Sequence, residues 1–222
     1  MLGCSVMDIS YLGHSSFKIK GRTVTLITDP FDSENVGIKF PKTEADIVTI
    51  SHEHKDHNSL EKVDGVKNVI RGVGEYEIAG VSIVGISSFH DDKEGTLRGK
   101  NIIYAIEMDD LRVVHMGDLG HELSDKIADS MGDIDILMIP VGGFYTIGPK
   151  EAAEIVKKLE PSFTIPMHFQ DTGLNSAIYK DLAKVDDFLE DVGYEVEKTT
   201  KLSIKKELIN EDISKVVILE RK

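Results

Sequence analysis

Four short apolar runs in this chain each end in a histidine or aspartate beside small residues, and the densest of these junctions constrains the rest. Asp46-Ile47-Val48-Thr49-Ile50 leads directly into Ser51-His52-Glu53-His54-Lys55-Asp56-His57, an H-x-H-x-D-H pattern. Read as a buried strand, Asp46 to Ile50 presents that pattern at its carboxyl end, where α/β architectures place their chemistry. Neutral imidazole and carboxylate are the ligands that zinc and its divalent neighbours prefer. His52 and His54, two apart, can face the same way from an extended loop and share one ion. Asp56 and His57 begin the next turn and face a second position. The segment therefore predicts two adjacent metal sites, each still short of ligands.

Three further strand ends carry suitable groups, namely His90, Asp118 and His168. Added to the first four, they give a three-histidine set and an Asp-His-His set, with Asp118 able to bridge the two.

Along the chain, Asp8 to Gly13, Phe17 to Lys20 and Thr23 to Thr28 read as strands, the last stopped by Asp29-Pro30. Asp32 to Thr43 is polar and reads as a loop. Lys67 to Arg71, Glu75 to Ile78 and Val81 to Ile86 read as strands, with Ala79-Gly80 as a hairpin turn. Asn101 to Met108 and Leu111 to His115 form a hairpin about Asp109-Asp110. Ser124 caps a helix that Gly132 stops near Met131. Ile134 to Ile139 is a buried strand, and Pro149 opens a helix with Ala152, Ala153, Val156 and Leu159 on one face. Ser162 to Ile165 is a further strand. Ile178, Leu182, Val185, Phe188 and Leu189 repeat at helical spacing, which predicts one amphipathic helix closed by Gly193. Tyr194 to Glu197 and Lys215 to Leu219 are the last strands. Two sheets with helices outside satisfy this order.

The 222 residues contain no Pro/Ser-rich linker, so residues 1–222 read as one domain with Met1 to Val6 as a short extension. A net charge of −13 argues against a nucleic-acid-binding surface. A small anionic substrate stays open, because bound metals reverse the local field. Cys4 is the single cysteine, which excludes an internal disulfide and fits a reducing compartment. No segment of signal length precedes Leu2-Gly3-Cys4, and no apolar run is long enough to span a membrane. The expected location is cytoplasmic, with a small-molecule substrate, no membrane partner, and an oligomeric state that composition leaves open.

The series H-x-H-x-D-H, then His, then Gly-Asp, then Pro-x-His resembles the metallo-β-lactamase-fold superfamily. Leu12 to Phe17, Thr28-Asp29-Pro30, Gly117 to His121, Pro140 to Gly143 and Pro166-Met167-His168 resemble a small group of β-lactamase-superfamily hydrolases related to ascorbate-6-phosphate lactonase. The resemblance runs from Tyr11 to His168. It implies a four-layer αββα sandwich with a one- or two-metal hydrolytic centre. Carried over by position, it implies one ion on His52, His54 and His90 and another on Asp56, His57 and His168, with Asp118 between them. His115 competes with His90 for the third histidine position. Asp29 matches the family's strand-end acid that steadies the ligand loop. His14 and His121 either line the pocket and brace a ligand or act as capping and surface histidines. Glu53 and Lys55 read as solvent-facing spacers.

Two divalent ions, zinc foremost and manganese, iron, cobalt or nickel also suited, can share a hydroxide for attack on a carbonyl or phosphorus. No serine or cysteine nucleophile is then required. Asp56 can move a proton in a single-metal version, and Tyr145, after Gly142-Gly143-Phe144, can offer its hydroxyl to substrate. The expected activity is hydrolysis of a small-molecule ester, lactone or phosphoester. The alternatives are a nucleotide or short-oligonucleotide phosphodiesterase and a non-catalytic metal-binding protein of the same fold. The chain carries neither a flavodoxin-like module nor an RNA-processing domain, so redox and long-RNA roles are not expected.

Overall fold

A computed structural model describes residues 6–209 and 213–221. The readings made of Cys4 and of the first five residues lie outside them. The first nine strands are β1 (Met7–Gly13), β2 (Ser16–Lys20), β3 (Thr25–Thr28), β4 (Thr43–Glu44), β5 (Ile47–Thr49), β6 (Val63–Asp64), β7 (Asn68–Ile70), β8 (Gly74–Ile78) and β9 (Val81–Phe89). The rest are β10 (Lys100–Met108), β11 (Leu111–His115), β12 (Ile136–Pro140), β13 (Phe163–Met167), β14 (Glu195–Thr199), β15 (Leu202–Ile204) and β16 (Lys215–Leu219). The helices are α1 (Ser33–Val36), α2 (Asp125–Met131), α3 (Pro149–Leu159), α4 (Ser176–Tyr179) and α5 (Val185–Val192).

One large sheet runs β15-β1-β2-β3-β5-β7 and the other β14-β16-β13-β12-β11-β10-β9-β8, while β4 and β6 pair separately. The two large sheets face each other across a core of Ile9, Phe17, Ile19, Leu26, Tyr104, Ile106, Val113, Met138 and Ile165. Residues of opposite parity in the second sheet, among them Ala105, Val114, Leu137 and Ile139, pack under α3 and α5 through Ala152, Val156 and Phe188. β12 and β13 are buried on both faces, as parallel strands covered on each side must be. The outer face of the first sheet is covered by the segment holding α1, through Phe31, Val36, Ile38 and Phe40, together with Val63 of β6. The layers thus stack as α, β, β, α, with the layer over the first sheet thin. Among the described residues no helix is long and apolar enough to cross a membrane.

Strand direction places the site. β1 and β3 both pair antiparallel with β2, and β3, β5 and β7 pair in parallel, so these four point one way. In the second sheet, β9 and β11 are both antiparallel to β10, while β11, β12 and β13 are parallel. His14, Asp29, His52, His90, Asp118 and His168 each follow the carboxyl end of one of these strands. At that end the sheets are joined by Ile102 N–H to Ser51 O (3.0 Å), His168 N–H to His14 O (3.0 Å) and the Tyr104 hydroxyl to Ile50 O (2.9 Å).

Several expectations are corrected. The single helix over Ile178 to Leu189 is two, α4 and α5. Between them Ala183 donates its N–H to Gly142 O (2.7 Å) and accepts from Gln170 N–H (2.8 Å), so its backbone is paired across the fold rather than along a helix. The Asp32 to Thr43 loop contains α1, capped by the Asp32 carboxylate on the N–H groups of Glu34 and Asn35. β3 starts at Thr25 rather than Thr23, and β9 continues past Ile86 to Phe89. β15 pairs with β1 over Met7 to Ile9 and has no counterpart in the sequence reading. The hairpin turns behave as expected, with positive φ at Ala79 and Gly80 and at Asp109 and Asp110.

Candidate metal centre

The seven candidate ligands converge from four strand ends, those of β5, β9, β11 and β13. The Asp118 Oδ2 atom lies 3.2 Å from Nε2 of His57, 3.2 Å from Nε2 of His90, 3.3 Å from Nε2 of His168 and 3.8 Å from Nε2 of His52. His52, His54 and His90 offer one ligand atom each within 4.8 Å of one another, and so do His14, Asp56, His57 and His168. The carboxylate of Asp118 stands between these groups.

Local structure explains the convergence. Gly117 adopts φ +54°, and a β-carbon there would run into Asn101 Oδ1 and Ser51, so the turn that presents Asp118 needs glycine. Asn101 then accepts from Asp118 N–H (3.0 Å) and donates to Met116 O (2.9 Å), clamping that turn. His14, Asp29 and His168 are non-glycine residues with φ of 55°, 40° and 52°. Such left-handed conformations are strained, and they cluster where surrounding structure over-determines them.

A layer of hydrogen bonds orients the rings. Asp29 accepts from the Ser51 N–H (2.7 Å), the Ser51 hydroxyl and His57 Nδ1 (2.8 Å). The Asp56 Oδ2 atom lies 3.2 Å from His14 Nε2 and accepts from the Tyr179 hydroxyl at 3.0 Å. Tyr179 was not singled out in the sequence. Its signal is absent because it falls outside the apolar repeat of the helix predicted there, and α4 brings it to Asp56 through tertiary packing.

Burial controls the charges. It pushes His52 down to about 3, helped by the neighbouring His57 and His90 rings and opposed by Asp118. It pushes His14 down to about 4, with His168 adding to the effect and Asp56 opposing it. Burial works against ionised Asp118, but the His168 and His57 rings hold it well below the usual carboxylate range. His57 goes the other way: the Asp118 and Asp56 carboxylates overcome burial and raise it well above an ordinary histidine.

The donor set fits a metal. Nε2 of His52, Nε2 of His57 and Oδ1 of Asp118 are buried and make no hydrogen bond among the described residues. Buried polar atoms are normally satisfied, and lone pairs left so beside one another suit a shared cation.

The remaining predicted residues lie elsewhere. His115 continues the inward parity of Leu111 and Val113; its Nε2 meets Ser15 O at 2.8 Å and its Nδ1 accepts from Gly117 N–H at 3.3 Å. Both its nitrogens are occupied and its ring lies against Phe17. His121 likewise accepts from Phe89 N–H (3.2 Å) and contacts Glu122 O (2.8 Å). The Tyr145 hydroxyl, expected to face substrate, instead donates to Ile178 O at 3.0 Å. Glu53 and Lys55 are exposed, although Glu53 also pairs with Arg71 at 3.3 Å.

The profile of the β-lactamase superfamily domain matches residues 8–168, from the first strand to the last candidate ligand. The chain belongs to the β-lactamase superfamily and is one of its metal-dependent hydrolases. A UPF0173 metal-dependent hydrolase of Thermococcus onnurineus is 30% identical over 191 residues, covering 74% of this chain and 85% of the relative. A Thermotoga maritima crystal structure, assigned to the Zn-dependent hydrolases of the metallo-β-lactamase superfamily, shares 36% identity with a TM-score of 0.79. The alignment covers 97% of this chain and all of that one. The Igni18 metallo hydrolase of Ignicoccus hospitalis, 21% identical with a TM-score of 0.66, covers 85% of this chain and 91% of its own and shows the shared fold.

Proposed function

We propose that this chain hydrolyses a small-molecule ester, lactone or phosphoester using two divalent ions, zinc foremost, held between its sheets. His52, His54 and His90 would hold one ion and Asp56, His57 and His168 the other, with the Asp118 carboxylate available to either. The observation that carries this reading is the convergence of four imidazole nitrogens on Asp118 Oδ2, with neighbouring lone pairs left unsatisfied. Bound there, divalent ions bring the pKa of water to about 7 and polarise the scissile carbonyl or phosphoryl group.

The protein's own residues position and deliver protons. Asp29 fixes His57 through Nδ1 and so turns Nε2 inward. Ser51 bridges Asp29 and His52 Nδ1, the latter at 2.9 Å. His14 and Tyr179 hold Asp56, whose half-open carboxylate can take or return a proton at Oδ2. The lactone option is supported by the likeness to the ascorbate-6-phosphate lactonase group, and the single cysteine supports a reducing, cytoplasmic setting.

Elemental analysis of purified protein tests the centre. About two ions per chain, falling in Asp118→Ala, is the expected result. Near-zero metal after supplementation overturns it. A loaded sample assayed for lactone opening by proton release, and for chromogenic ester and phosphodiester cleavage with His54→Ala as control, then selects the substrate class. Cleavage that survives His54→Ala overturns the two-ion mechanism.

A further inference from the structure

We infer that the pocket beside His52 and His54 seats the non-reacting part of the substrate, and that this part is an apolar body bearing an anionic group. The inference rests on the hydrolase reading above. The pocket has a volume of about 670 Å³, within the range of small-ligand sites. It is lined by His52 and His54 themselves, so whatever fills it lies against the metal centre. His54 is also the one exposed histidine of the cluster, which makes this its open side.

Charge sets the first half of the ligand's chemistry. In a chain of net charge −13, Arg71, Arg98 and Lys100 all line this pocket, against a single carboxylate, Glu53, which Arg71 already engages. Lys100 is exposed and has no ion-pair partner among the described residues. Arg98 is fixed in advance. Its backbone N–H donates to Asp91 (2.7 Å), one guanidinium N–H donates to Phe144 O (3.1 Å), and the group lies 5.6 Å over the Tyr145 ring. Its other N–H donors remain for a carboxylate or phosphate, which guanidinium can take with two parallel bonds.

The uncharged lining sets the second half. Ile50 and Ile102 line the wall, and Val73 on the rim is 59% exposed. Scattered surface apolar residues carry no message, but here they border a cationic pocket that opens on the candidate ligands.

The test uses two chromogenic esters of equal chain length, p-nitrophenyl hexanoate and the singly charged mono-p-nitrophenyl ester of adipic acid, on metal-loaded protein. The expected result is a kcat/KM at least about tenfold higher for the charged ester, expressed mainly in KM. Arg98→Gln and Lys100→Gln each lower that ratio several-fold. Lys100→Gln alters an exposed side chain, so the test survives if Arg98→Gln does not fold. Equal kcat/KM for the two esters, or a preference unmoved by Lys100→Gln, overturns the inference. If loaded protein cleaves neither ester, the ester option of the proposed function is at fault, and calorimetric titration with hexylphosphonate and hexanoate still reads the pocket. Binding of either probe at least fivefold weaker in Lys100→Gln supports the inference and shows which anion is preferred. No binding, or binding equal in wild type and variant, overturns it.

Discussion

His57 Nδ1 and the Asp29 carboxylate are joined by a 2.8 Å hydrogen bond, with both side chains fully buried. This contact decides which way the ring faces, because donation from Nδ1 leaves Nε2 toward Asp118 and Asp56. Such partners typically contribute 10–100-fold in metal affinity. Asp29→Asn is therefore expected to weaken metal binding by about 10–100-fold, read by competition with a chromogenic chelator. Unchanged affinity would show that the ring is held by packing alone.

His90 and His115 separate in the same assay. His90→Ala is expected to lower the bound metal per chain. His115→Asn is expected to keep the metal and lose stability, because it disturbs a buried contact with Ser15 O that is worth about 1–3 kcal/mol when one partner is left unpaired. Elemental analysis beside calorimetric unfolding distinguishes them, and loss of metal in His115→Asn would reverse the assignment.

Tyr179 reaches Asp56 Oδ2 at 3.0 Å and Asn35 Oδ1 at 3.1 Å, and its single proton serves one of them at a time. Tyr179→Phe removes the bond to Asp56 with little change in shape. A hydrogen bond to a charged group contributes about 1.5–3 kcal/mol, so a loss of roughly tenfold or more in kcat/KM is expected with metal content retained. Full activity in the variant would assign Asp56 positioning to His14 alone.

Removal of metal should be visible in stability. A ligand present at 100 times its Kd stabilises by about 2.7 kcal/mol, which corresponds to roughly 5–10 °C in Tm for a chain of this size. Differential scanning calorimetry with and without chelator measures it. Superimposed transitions would mean that the ligands do not bind in the folded state.

Asp91, the residue after His90, is buried and accepts four backbone N–H groups, from Lys93, Gly95, Leu97 and Arg98. Burial opposes its charge, but those donors bring it down to about 2. Its folded value lies below the unfolded value of about 3.9. Its stabilisation is therefore full above roughly pH 4 and disappears as the pH falls toward 2. Asp91→Asn should lower Tm near neutral pH by about 2–4 °C, and the gap to wild type should narrow between pH 4 and 2. A gap independent of pH would assign the effect to packing.

Local features of this fold are encoded in local sequence. The alternation of β1, the paired turn residues at Ala79-Gly80 and Asp109-Asp110, the Ser124 cap and the H-x-H-x-D-H segment each carry their structure in a few neighbouring residues. They announce two sheets, helices outside and acid-imidazole chemistry at strand ends, because side-chain periodicity and ligand type are properties of short stretches. Non-local pairings decided the rest. β15 exists because it finds β1 nearly the whole chain away, and the break between α4 and α5 exists because Gly142 takes the N–H of Ala183. The two candidates for the third histidine are chemically identical in sequence. Strand parity separates them, turning His115 inward to Ser15 and Phe17 while β9 runs on and delivers His90 to Asp118. Tyr179 reaches Asp56 only through the placement of α4, and Arg98 lines the neighbouring pocket only through the connection between β9 and β10. A sequence states which donors are available; the crossing of two sheets determines which of them meet.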